Sequence, residues 1–466
     1  MILQKENILF PIESIGRELD YKLLLASMFL TNSRQVLIGQ HDYLFNISKY
    51  MDGGIYLGKN SFSIKSDGFW NDRHKAIKKQ GITVIHLDEE GGIYWGNEDE
   101  WCKRLDKRID ISAIDSDDFI CTWGEFQKKY YASFDNIPKN NIFVTGNPRF
   151  DLLKKNYRGY YKNEIDKIKK QYGDFILVPT AFSWFNNGQG HSDTFSERMG
   201  FEPFKDTAIK YIKTWAYSGK TYIEYIQMII NISLTFPDKN IVIRPHPAED
   251  QEIYRKVFDN FDNVHVVLSG SSFPWILSAK LVIQDGSTTA IEAHLGGTPV
   301  INFMPVINKS YEMFLPSIVG IQCSTVAEVI KYIKALYNNK ELEIKHPQNN
   351  KRAVSVFNSF INKEDSFKNV LSVLNNVSKS RDNRNDKFNK VFFCLFRIKY
   401  TVLNILKDMI RPFFSEKYKK YSAFRVAFPG FKKSEILGKM EQIEKLTGVK
   451  LDCKFVNENL ILITKK

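Results

Sequence analysis

The sequence predicts an α/β protein of two doubly wound domains, followed by a basic amphipathic helix and a small α+β cap. Three observations carry this. Short apolar runs alternate with helical stretches along residues 1–160 and again along 170–375, which is the pattern of buried parallel strands. Polar clusters sit at the C-terminal ends of those runs, where such sheets gather function. Residues 379–433 hold 15 Lys or Arg against 4 Asp or Glu, so most of the net charge of +13 lies in one late segment.

The totals set bounds. A chain of 466 residues exceeds what one core supports and suits two or three domains. Its charged fraction of 26% and apolar fraction of 43% are ordinary for a globular protein. No run of apolar residues is long enough to span a bilayer, and the opening MILQKENILFPIE has no signal-peptide core. The five cysteines, Cys102, Cys121, Cys323, Cys394 and Cys453, lack metal-ligand spacing and leave one unpaired, which fits a reducing cytoplasm. Because the basic character is confined to one segment, no nucleic-acid partner is expected.

In the first domain, residues 1–160, strands are expected at 7–12, 35–38, 55–57, 83–87, 119–122 and 142–145, with a helix from about Tyr21 to Thr31. The lysine-rich stretch 153–174 reads as the interdomain connection. In the second domain, strands are expected at 175–179, 241–243, 281–283 and 299–303, with helices at 221–234 and 274–279. Residues 376–390 read as an exposed linker. Val391 to Phe414 interleave apolar residues with Arg397, Lys399, Lys407 and Arg411. Such a helix either packs on the body or lies on an anionic membrane face, and its basic interleaving favours the membrane, with 391–420 as the contact. Residues 421–466 form the cap, with a strand-like FRVAF, a helix over 434–446 and two short strands about Asn457-Glu458-Asn459.

Two clusters in the second domain point to a nucleotide. Gly286-Ser287-Thr288-Thr289 follows a strand and opens a helix. Free N–H groups and hydroxyls at a positive helix terminus suit a phosphate, although Ser and Thr are also ordinary helix caps. Glu292 lies one turn in, on the face of Thr288, where a carboxylate can accept from ribose hydroxyls. Arg244 and His246, in Arg244-Pro245-His246-Pro247, can supply charge or donors. In the first domain, Asp88-Glu89-Glu90-Gly91-Gly92 ends a strand. Adjacent carboxylates repel, and partial burial raises the pKa of at least one, so this turn can supply a base or a nucleophile. Glu13, Arg17, Glu18 and Asp20, after the first strand, are candidates for the acceptor side. His86, in an apolar run, reads as a core residue.

The stretches ILFPIESIGRELDYKLLLA, HLDEEGG, VTGNPRFDLL, VIRPHPAED and QDGSTTAIEAHLGGTPVI together resemble the bacterial surface carbohydrate biosynthesis family. Those are GT-B glycosyltransferases with two Rossmann-like domains facing a cleft, related to transferases of Kdo, a 3-deoxy-octulosonic acid. The pairing of an acidic turn with a His-Pro element is also similar to bacterial sialyltransferases. The resemblance implies transfer of a 2-keto-3-deoxy sugar acid, Kdo or a nonulosonic acid, from a CMP donor to a glycan or lipid-linked glycan acceptor. It implies Glu89 or Glu90 as the catalytic carboxylate, with His246, Ser287 and Thr288 about the CMP phosphate. Three acids stand where two suffice, so which one acts is open. No metal or other cofactor is implied, because the leaving group is a nucleoside monophosphate already held by His and backbone donors. The implied place is the cytoplasmic face of the cell membrane. Two other readings stand beside it: a polyol-phosphate transferase of the CDP-glycerol or CDP-ribitol type, and a non-catalytic subunit of glycan assembly.

Overall fold

A computed structural model describes residues 5–59, 69–89, 98–204, 206–268, 270–317, 319–339, 365–381, 387–388, 390–410 and 428–466. Two sheets organise them, each built as the apolar runs require. The first contains β1 (Glu6–Ile12), β2 (Arg34–Gln40), β4 (Gly54–Gly58), β5 (Ile82–Leu87), β6 (Phe119–Thr122) and β7 (Ile142–Val144), preceded in the chain by a two-residue β3 (Met51–Asp52) between β2 and β4. These strands run in the order β2-β1-β4-β5-β6-β7, all parallel. The second sheet contains β8 (Ile176–Pro179), β9 (Ile241–Arg244), β10 (Val264–Val266), β11 (Leu281–Gln284), β12 (Val300–Phe303) and β13 (Ile321–Cys323). Its order is β10-β9-β8-β11-β12-β13, again parallel throughout. Residues such as Leu9, Phe10, Val242, Ile243, Val282 and Ile283 are fully buried, as expected of strands covered by helices on both faces. The two-domain GT-B arrangement expected from sequence is the one formed.

Several elements differ from the sequence reading. The first helix runs Ile15–Phe29, so it begins ahead of the expected Tyr21 and takes in Glu18 and Asp20. The helix expected at 221–234 spans Asp206–Thr235. Gly219, within it, lies against the Phe185 ring, where an added Cβ would come within 2.7 Å of Cδ2. The glycine is here a packing contact inside a helix. The helix Ser366–Ser380 crosses the stretch where domain and linker were expected to meet. It rests on the first domain: Arg34 Nη1 donates to Asn375 (2.8 Å), the Phe367 N–H donates to Asp151 (2.9 Å), and Ser378 Oγ donates to Glu6 (2.9 Å).

The C-terminal helix forms at Lys433–Thr447, and β15 (Leu451–Asn457) and β16 (Leu460–Lys465) form the expected pair. That pair continues the first sheet. β16 runs antiparallel to β2, with Leu460 opposite Gly39 and Ile463 opposite Val36. FRVAF up to Ala427 and residues 411–420 lie outside the described residues. β14 (Lys387–Phe388) pairs with β3 and leads into the helix Lys390–Ile410.

β1 and β4 approach so closely that Gly58 has no room for a side chain. A Cβ there would come within 2.3 Å of Pro11 Cγ, and a proline ring cannot turn aside. Gly58→Ala is therefore expected to lower stability by about 1–3 kcal/mol, the usual cost of overpacking. Chemical denaturation followed through the first domain's tryptophans checks this, and unchanged stability would mean that the two strands are free to separate.

Candidate functional site

The first domain's contribution begins where β1 ends. The Ile15–Phe29 helix places Glu18 and Lys22 one turn apart on a single face. Lys59 follows β4, and Glu89 stands two residues beyond β5. All four side chains are buried. Lys22 Nζ lies 2.8 Å from Glu18 Oε2 and 2.6 Å from Glu89 Oε1. Lys59 Nζ lies 2.6 Å from Glu13 Oε2, 3.1 Å from Glu18 Oε1 and 3.5 Å from Glu89 Oε2. Tyr21 donates its hydroxyl to Glu89 Oε1, and Lys22 also donates to the Pro11 carbonyl. Glu18 further accepts from the Glu13 N–H at 3.1 Å.

The network divides its charge unequally. Burial raises the Glu18 pKa, but Lys22 and Lys59 outweigh it and hold the carboxyl far below the usual range. Glu89 goes the other way: burial and then the Glu18 charge push its pKa up, against the pull of the two lysines. Glu89 is thus the member of the group most readily protonated. Its Oε2 makes no hydrogen bond among the described residues.

The neighbouring acids are placed differently. The Asp88 carbonyl accepts from the Trp123 indole, and its carboxylate accepts from Gln127 Nε2 at 3.2 Å, which ties Asp88 to the scaffold. Glu90, Gly91 and Gly92 lie outside the described residues. Asp20 is turned away from this network. It accepts from Tyr160 (3.1 Å) and Tyr161 (2.8 Å) and pairs with Lys439 of the C-terminal helix, so it fastens elements together. His86 is buried, as its apolar run implies.

In the second domain, the turn after β9 is organised by a residue that sequence reasoning passed over. Glu249 is buried beneath it and accepts from the His246 N–H (3.0 Å), Thr180 Oγ1 (2.9 Å) and Tyr254 Oη (2.6 Å). Its place three residues after His246 is the signal that could have found it, since a short loop with an internal carboxylate is a common way of satisfying turn N–H groups. His246 is exposed, and its Nδ1 accepts from the Ala248 N–H at 3.2 Å. In the neutral ring the proton then sits on Nε2, which is left as a donor. The crowding of neighbouring atoms and, second, the charge of Arg17 lower the His246 pKa. Arg17 lies on the first domain's leading helix. Arg244 is directed elsewhere: its Nη2 donates to the Gly270 carbonyl at 3.0 Å, and its guanidinium lies 5.1 Å from the Trp275 ring centroid.

The turn after β11 is equally ordered. Gln284 accepts from the Ser287 N–H at 2.7 Å. Gly286 has φ of +59°, and a Cβ there would come within 2.9 Å of Met313 Cγ, so only glycine fits. Ser287 caps the Thr288–Gly296 helix: its Oγ accepts from the Thr289 N–H at 3.3 Å and lies 2.9 Å from Thr289 Oγ1. Thr288, half-buried, occupies the first helical position. Glu292 is buried and pairs with Arg149 of the first domain at 2.7 Å. Arg149 Nε also donates to the Arg17 carbonyl at 3.2 Å. The residue expected at a ribose thus joins the domains, and its partner Arg149 was quoted in VTGNPRFDLL without a role.

The structure brings together Glu13, Glu18 and Glu89 about Lys59, and places Arg17 on the first domain's leading helix and His246 on the turn after β9. It places Gly286, Ser287, Thr288, Thr289 and Glu292 on the second domain's helix turn, and Arg244 against the Gly270 carbonyl and Trp275. Among the described residues, one group with metal-binding potential is His74, Asp115 and Asp118. Lys78 Nζ, 3.0 Å from Asp118 Oδ1, already supplies the cation there.

No protein-family model matches the sequence, and no curated protein matches it. Solved structures of similar fold include the UDP-GlcNAc 2-epimerase of Methanocaldococcus jannaschii, 14% identical, covering 79% of this chain and 99% of that one, with a TM-score of 0.47. The UDP-GlcNAc 2-epimerase of Neisseria meningitidis bound to UDP-GlcNAc is 15% identical over 79% of this chain and 99% of its own, with a TM-score of 0.45. A variant of the wall teichoic acid polymerase TagF soaked with CDPG is 12% identical over 81% and 90%, with a TM-score of 0.49.

Arg149→Met leaves a buried carboxylate unpaired and is expected to cost about 3–5 kcal/mol. Arg149→Met combined with Glu292→Gln is expected to recover much of that loss. Chemical denaturation of the single and double variants reads the difference, and additive losses would show that the two groups are not coupled.

Proposed function

We propose that this protein is a GT-B glycosyltransferase. It moves a 2-keto-3-deoxy sugar acid, Kdo or a nonulosonic acid, from a CMP-activated donor to a hydroxyl of a glycan or lipid-linked glycan acceptor. The observation that carries the reading is Glu89: a buried carboxylate with a raised pKa, oriented by Tyr21, Lys22 and Lys59 at the C-terminal end of the first sheet. The CMP donor, the sugar acid and the acceptor follow from the family resemblance.

The acceptor hydroxyl gives its proton to Glu89 as its oxygen attacks the anomeric carbon. The bond from that carbon to the CMP phosphate oxygen breaks, and the leaving phosphate carries away the electron pair. His246, with Nε2–H as donor, meets that phosphate together with the N–H groups that open the Thr288–Gly296 helix. Glu18, Lys22 and Lys59 hold the base in place without becoming the base themselves. The reading needs no metal, since the leaving monophosphate is met by these donors.

Two tests follow. Glu89→Gln is expected to lower transfer by 10²–10⁴-fold, the usual range for loss of a general base, with nucleotide binding retained. Because the Glu89 pKa is raised and the base acts ionised, the rate should climb with pH through a value above the ordinary glutamate range. A flat profile, or a fully active Glu89→Gln variant, would remove Glu89 from the chemistry.

Thermal-shift titration with CMP, CDP, UDP and GDP tests the donor. Selective stabilisation by CMP, lost in His246→Ala, is the expected result. Preference for CDP would point to polyol-phosphate transfer of the CDP-glycerol kind. Response to no nucleotide would favour the non-catalytic reading.

A further inference from the structure

The Lys390–Ile410 helix has two apolar faces. One is docked on the first domain. Phe393 and Phe396 are buried, the rings of Tyr43 and Tyr400 stand 5.4 Å apart, Tyr43 donates to Asn404 at 2.6 Å, and Lys454 lies over the Phe393 ring. At 100° per residue the opposite face carries Val391, Leu395, Ile398, Val402, Ile405 and Met409. Each of these six is between 49% and 67% exposed. Their spacing of four, three, four, three and four makes a straight stripe three heptads long. Arg397 and Lys399 are exposed on either side of it.

We propose that this stripe is a fixed lipid-docking face, taken up by the surface of a bilayer rich in anionic headgroups. An aliphatic stripe beside cationic rims is the pattern of a helix lying in the membrane interface. None of the described helices is long and apolar enough to cross a membrane, so the contact is with the surface. The surrounding segment settles the choice of occupant. Residues 379–433 carry 15 basic against 4 acidic residues. A second copy of the same face would bring two such segments together, whereas anionic lipid is drawn to each Lys and Arg.

The docking also fixes orientation. Tyr43 closely follows Gln40, the end of β2, so its contact with Asn404 sets the helix's C-terminal half at that end of the sheet. Glu13, Lys59 and Glu89 follow the same ends of β1, β4 and β5. A bilayer on the stripe then lies beside the mouth of the cleft. The inference is independent of the donor and of the chemistry proposed above.

The test is flotation of the full chain with vesicles of phosphatidylglycerol and phosphatidylethanolamine, and with vesicles of phosphatidylcholine alone. Binding to the anionic vesicles is expected, weakening as salt is raised. Ile398→Asp with Ile405→Asp should weaken it at least tenfold while the melting temperature and the nucleotide response stay unchanged, since both positions are exposed. Arg397→Glu with Lys399→Glu should weaken binding to anionic vesicles and serves as the second variant. Unchanged binding in either pair, or equal binding to both vesicle types, would overturn the proposal. So would self-association in sedimentation equilibrium that is abolished by the two aspartates, since a second copy would then cover the face.

Discussion

Two ammonium groups and three carboxylates meet at the C-terminal edge of the first sheet, and much of the molecule is arranged to hold them there. Isolated charges cannot be buried at this depth. Lys22 and Lys59 are tolerated because Glu13, Glu18 and Glu89 surround them, and the reverse holds for the acids. Burial and then the Glu18 charge raise the Glu89 pKa, against the pull of Lys22 and Lys59. A carboxyl that is both held rigid and reluctant to ionise is what proton transfer requires.

The opposite wall follows a different rule. There, side chains that accept from turn N–H groups set the geometry. Glu249 gathers the turn that carries His246, and Gln284 gathers the turn that carries Ser287. Arg149 joins the two walls by pairing with Glu292 while donating to the Arg17 carbonyl. On the proposed function, a nucleotide beside the Thr288–Gly296 helix would meet a carboxylate already engaged by the facing domain, which would link occupancy of the site to the setting of the two domains.

The parallel strands were legible in the sequence because a strand buried on both faces must be written as an unbroken apolar run. Strands such as Ile241–Arg244 and Leu281–Gln284 fall within a residue of expectation. The polar clusters at their ends were legible because the chain topology sends such residues to one edge. Partnership was not legible. Glu18 and Lys22 can be placed on one helix face, but that Lys59 and Glu89 close the network depends on strands brought together across long stretches of chain. Asp20 shows the same limit. It lies two residues from Glu18 in a charged stretch, yet the helical turn points it at Tyr160, Tyr161 and Lys439. Ser366–Ser380 could not be assigned to the first domain from its own pattern, since an amphipathic helix says which face is covered and not what covers it.

The pairing of β16 with β2 has a consequence in time. β2 lies early in the chain and is flanked on one side by β1, its near neighbour in sequence. On the other side it is flanked by a hairpin drawn from residues 451–465. During synthesis the first domain therefore waits, with an open strand edge, while the whole second domain emerges. Such an edge is a ready template for mispairing. A chain cut short after the second domain would keep both sheets and the cleft between them, but would still carry an unfinished edge for proteases and chaperones to find.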